Sequence, residues 1–112
     1  MNAPRLNKVT SLTFILATGP EQSDLPRIVA LARAAQRRRV ATTLFAMHRG
    51  VLSLASDDER TTALHHANCD LIGCATSADQ FGVDLAALGA AVGSQDDHAR
   101  LVAGATRVLA FT

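Results

Sequence analysis

The stretch VTSLTFILATGPEQSDLPRIVALARAAQRRR, residues 9–39, decides the architecture. Its first part, Val9 to Ala17, ends in an apolar run rich in β-branched and aromatic residues, as a strand buried on both faces would. Thr18-Gly19-Pro20 breaks the run. Ser23 or Asp24 then offers an N-cap, and Pro26 fits a first helical turn, where its missing N–H costs nothing. Leu25, Ile28, Val29, Ala32 and Ala35 share one helical face. Arg37, Arg38 and Arg39 fall in the last turn, where positive charge suits the helix dipole. A buried strand feeding an amphipathic helix is the repeating unit of a parallel sheet.

The rest of the chain continues the alternation. Val40 to Met47 reads as a second strand, and HRGVLSLAS (48–56) as a loop with a short apolar patch. DDERTTALHHAN (57–68) predicts a helix with an acidic first turn. DLIGC (70–74) is a short buried strand. Thr76 to Phe81 makes one helical turn that Thr76 can cap, with Asp79 at N3, and that Gly82 stops. Leu88 to Val92 is the expected fourth strand. Ser94 begins an S-x-x-D capping signal that opens the helix DDHARLVAGA, and RVLAF (107–111) is the last strand. One α/β domain over residues 1–112 follows, with a parallel sheet of five strands and helices on both faces. Residues 1–8 are expected to be a flexible N-terminus.

Composition removes several classes of function. The net charge is +1 and Lys8 is the one lysine, which makes no general case for nucleic acid or an acidic membrane. Four Phe with no Trp or Tyr argue against a base-stacking platform. No apolar run approaches a membrane span, and MNAPRLNKV lacks the apolar centre of a secretory signal, so the expected location is the cytoplasm. No G-x-G-x-x-G, G-x-x-x-x-G-K-[ST] or G-x-S-x-G is present. A phosphorylation receiver would need acids where Ala17-Thr18 and Cys74 stand.

Two cysteines remain, spaced C-x4-C rather than C-x-x-C. On an extended strand Cys69 and Cys74 would lie about 16 Å apart, against a disulfide limit of about 7 Å. Their odd offset sends the side chains to opposite faces. Cys74 stands at the carboxyl end of a strand, where ligands of α/β sheets collect, and just before a helical turn whose free N–H groups favour a thiolate. It reads either as a reactive thiol or as a small buried hydrophobe. His48 also follows a strand directly. It reads either as lining the same crevice and stabilising the thiolate or as the polar start of a loop. In LHHANC, His65 and Cys69 are four apart and His66 is near, which is part of a zinc or copper set but not a complete one; the other reading is a solvated helix end.

The order of these segments resembles the DsrE/DsrF-like sulfur-relay proteins, of the DsrE/TusD sulfur-carrier type. The resemblance rests on ATGPEQSDLPRIVALARAA, VATTLFAMHRGVLSLA, DLIGCATSADQFGV and RVLAFT, and spans nearly the whole chain. It implies a flavodoxin-like α/β fold that assembles as a homotrimer or hexamer. It implies a sulfurtransferase that carries sulfane sulfur as a persulfide on Cys74 and passes it between a sulfur-donor and a sulfur-acceptor protein, without a cofactor. Thr76 and Ser77 would supply donors to the persulfide anion. Cys69 is not required by the pattern; it is structural, or it resolves or shares the persulfide. A non-catalytic assembly subunit and a metal or redox sensor are the alternatives.

Overall fold

The computed structural model describes residues 9–112, so the expected flexible N-terminus lies outside the described residues. The chain forms β1 (Ser11–Leu16), α1 (Asp24–Arg37), β2 (Ala41–Ala46), α2 (Gly50–Ala55), α3 (Asp58–His66), β3 (Cys69–Cys74), α4 (Ala75–Phe81), β4 (Ala91–Gly93), α5 (Gln95–Gly104) and β5 (Arg107–Phe111). The five strands are parallel in the order β4-β3-β2-β1-β5. This is a flavodoxin-like arrangement of one parallel sheet between helices.

The two faces are unequally covered. Phe14 and Leu16 of β1, Leu44 and Ala46 of β2, and Cys69 and Leu71 of β3 point to one face. They pack there with Leu25, Ile28, Val29 and Ala32 of α1, Val51 and Leu54 of α2, Leu64 of α3 and Ala78 of α4. The five apolar residues read from the sequence for α1 are all buried. The other face carries Ile15, Phe45 and Cys74, with Met47, Ile72, Val108 and Leu101 of α5 beside them. Among the described residues only α5 crosses this face, because the one connection that runs back across the sheet joins β4 to β5. No residue of α5 is fully buried.

Three local expectations are corrected. HRGVLSLAS is not a loop: residues 50–55 are α2, with Val51 and Leu54 in the core. Gly50 permits this, since a Cβ there would overlap the Leu16 carbonyl oxygen. The fourth strand is Ala91–Gly93, later and shorter than expected. Ala86–Leu88 forms a 3-10 turn instead, with Leu85 buried in the core and Leu88 packed against it. Thr76 does not cap α4, because the N-cap is Cys74 itself. Ser23 stands at the N-cap of α1 but makes no side-chain capping bond, whereas the signals read at Ser94 and Gly82 hold. Asp57 accepts from the Arg60 N–H, Ser94 and Asp97 form a reciprocal capping box, and Gly82 ends α4 in the left-handed conformation.

Candidate thiol site

Cys74 is where three elements meet. It is the last residue of β3 and the N-cap of α4, so its backbone stays extended while the next residue turns helical. β4 pairs alongside, with Gly93 opposite Cys74, and the chain then turns into α5 through Ser94 and Gln95. β2 ends on the other side at Ala46, followed by Met47 and His48. The result is a cavity of about 320 Å3 lined by His48, Cys74, Thr76, Ser77, Gln80 and Gln95, among others. The Cys74 residue is 5% exposed and forms part of the wall of this cavity.

The hydrogen bonds around the sulfur have a direction. His48 adopts a left-handed backbone (φ 50°), and its N–H donates to the Ser77 hydroxyl oxygen at 2.8 Å. Ser77 is itself buried. With its oxygen accepting from His48, its hydroxyl proton is free to point at Cys74. The Gln95 Nε2 lies 3.9 Å from Cys74 Sγ, within reach of a weak bond to sulfur. Burial pushes the Cys74 thiol up. The Ser77 hydroxyl, the backbone N–H groups of Ser77 and Thr76, and the Gln95 amide outweigh it, and the thiol lies below the ordinary cysteine value.

Cys69 has the opposite environment. It is 3% exposed and lies on the other face, within the main core. Burial pushes its thiol up to about 11, and the neighbouring Asp70 charge adds to this. Both cysteines are free thiols, and they face opposite sides of the sheet as the odd spacing requires.

The structure therefore gathers Cys74, His48, Thr76 and Ser77 around one cavity and leaves Cys69 outside it. The His65, His66 and Cys69 group divides, with His65 and Cys69 lining one cavity and His66 turned elsewhere. His65 Nε2 lies 2.8 Å from the Leu88 carbonyl oxygen, which only accepts, so this nitrogen carries the proton and is no metal ligand. His66 faces a surface groove of about 620 Å3 between α1 and α3 that contains no thiol. Among the described residues no three His, Cys, Asp or Glu side chains gather as a metal site needs. Gln95 and Gln80 were not anticipated. The S-x-x-D signal at Ser94 was the available clue, since it puts the first turn of a helix beside the end of β3.

Among the described residues no helix is long and apolar enough to cross a membrane. No protein-family model matches the chain, and no curated protein matches it. The chain is similar to the solved structure of a conserved protein of unknown function from Bacteroides thetaiotaomicron. The TM-score is 0.77 at 17% identity, over 98% of this chain and 100% of that one. At that identity the likeness establishes the α/β fold.

Proposed function

We propose that the protein is a sulfur carrier that holds sulfane sulfur as a persulfide on Cys74. One observation carries this reading: the thiol that faces a cavity at the carboxyl end of the sheet is also the thiol surrounded by donors to its anion. The resemblance of the sequence to DsrE/DsrF-like proteins supports it independently. The Cys74 thiolate attacks the outer sulfur of a donor persulfide R–S–SH. A bond forms between Cys74 Sγ and that sulfur, the donor's S–S bond breaks, and the donor leaves as R–S⁻. An acceptor thiolate then attacks the same outer sulfur and releases Cys74 as thiolate. Neither step changes the net oxidation state, so no cofactor is needed. Donor and acceptor are proteins in this reading, and the setting is the cytoplasm. Assembly into a homotrimer or hexamer is part of the same reading and follows from the resemblance.

A second reading, a non-catalytic assembly subunit, draws on the near-complete burial of Cys74. Intact-mass spectrometry after incubation with polysulfide separates the two. The carrier gains one or more sulfur masses that a reductant removes and that Cys74→Ser abolishes, while Cys69→Ser keeps them. No gain on native protein, with both thiols alkylated only after unfolding, would leave the assembly subunit.

A further inference from the structure

The groups that face the Cys74 sulfur come from two separate parts of the chain. Ser77 and the backbone N–H groups of Thr76 and Ser77 belong to the helix that Cys74 itself caps. Gln95 belongs to α5 and is 21 residues away in sequence. Its backbone is held where it is by the capping box: the Ser94 hydroxyl accepts from the Asp97 N–H, and Asp97 accepts from the Ser94 N–H at 2.8 Å. Gln95 is an exposed residue at the first position of its helix. Such a side chain has water on most sides. Here it turns to sulfur instead.

We infer that Gln95 is a positioning residue for the Cys74 sulfur, donating its amide N–H to the anion and closing the cavity from the α5 side. The thiolate half of this inference rests on geometry alone. The persulfide half, in which the same amide follows the charge onto the outer sulfur, rests on the sulfur-carrier reading.

The chemistry of the cavity favours a neutral donor in this place. Among the described residues its lining contains no Lys or Arg. The titratable groups nearby are His48 on the wall, His98 with its ring 5.3 Å from that of Phe45, and Asp97, which is tied to Ser94 and Arg100. A fixed cation against the sulfur would lower its pKa strongly, and a thiolate loses nucleophilicity as its pKa falls. A sulfur that must both attack and be released is better held by weak, directional donors than by an ion pair. The amide also comes from α5, which has no fully buried residue. The donor set is complete only while the first turn of α5 is docked, so docking of α5 and reactivity of the thiol are coupled.

The test is the pH profile of Cys74 alkylation by iodoacetamide, read by peptide mass, in the full chain and in Gln95→Leu, Gln95→Glu and Gln95→Lys. Persulfide lifetime after polysulfide loading is measured in parallel. Gln95→Leu is expected to move the midpoint up and slow alkylation at neutral pH about threefold to tenfold, the range for one ordinary hydrogen bond, as suits a contact of 3.9 Å. Gln95→Glu moves it further up, Gln95→Lys moves it down, and the persulfide on Gln95→Leu decays faster than on wild type. A Gln95→Leu midpoint equal to wild type overturns the inference, even if Glu and Lys diverge, because charge alone would then be felt. A shifted midpoint in a protein that takes up no sulfur sustains the positioning role and removes the carrier reading. Sulfur uptake on Cys74 with an unshifted midpoint and lifetime does the reverse.

Discussion

The backbone N–H of His48 donates to the hydroxyl oxygen of Ser77 at 2.8 Å, from a residue whose φ is 50°. A histidine in the left-handed region is uncommon. The conformation aims the N–H across from the end of β2 to the first turns of α4. What His48 contributes to the site in this structure is therefore its main chain. Its imidazole lines the cavity without a hydrogen bond to the sulfur.

Removing the Ser77 hydroxyl should weaken the thiolate. In Ser77→Ala the midpoint of Cys74 alkylation rises, and the rate at neutral pH falls about tenfold, as for loss of a hydrogen bond to a charged group. The rate at high pH, where the thiol is fully ionised in both proteins, stays near wild type. A uniform loss at every pH would point instead to a blocked cavity.

His48→Gly separates main chain from imidazole. Glycine adopts positive φ without a Cβ penalty, so the substitution keeps the N–H in place and should stabilise the fold by about 1 kcal/mol. Cys74 alkylation should keep its pH profile. Chemical denaturation and the alkylation curve check the two halves. A large upward shift of the midpoint in His48→Gly would assign the role to the ring.

Cys69 sets an alkaline limit on stability. Its thiol is pushed from 9.0 to about 11 in the folded chain. Between those values the unfolded chain has lost the proton and the folded chain keeps it, so stability falls as pH rises. The slope is about 1.4 kcal/mol per pH unit for one group, and the loss is roughly 2 kcal/mol by about pH 11. Thermal melts of wild type and Cys69→Ala from pH 8 to 11 should converge at the alkaline end, because the variant lacks this contribution.

Glycines 50 and 104 make a controlled pair. A Cβ at Gly50 would overlap the backbone carbonyl of Leu16, whereas one at Gly104 meets nothing within 4 Å. Gly50→Ala should cost more than about 2 kcal/mol, since the end of β1 must move. Gly104→Ala, in the last turn of α5, should be neutral or stabilise by up to about 1 kcal/mol. Urea titration of both variants gives the comparison.

What could be read in advance follows a physical line. β1 and α1 were legible because apolar spacing, a proline and cap candidates all agree within residues 9–37. α2 was not, because Arg49 at its N-cap offers no capping side chain and the helix exists through contacts of Val51 and Leu54 with distant residues. β4 was misplaced because an Ala/Gly-rich segment has little strand preference of its own, while Leu85 and Leu88 are drawn to the core. Cys74 was legible as the end of a strand. The conformation of His48 was not, since nothing in its neighbours demands a positive φ. Gln95 needed the sheet order, which places the end of β4 beside the end of β3.

The unequal cover of the two sheet faces also orders events on the ribosome. All four helices of the well-packed face are synthesised by residue 81, and β4 is synthesised by residue 93. α5 and β5 come last, and β5 must return to pair with β1. A nascent chain of this protein can thus finish one side of its sheet while the side bearing Cys74 is still bare. Until α5 and β5 bring Leu101 and Val108 beside it, the face bearing Cys74 would be open to the oxidants and thiols around the chain.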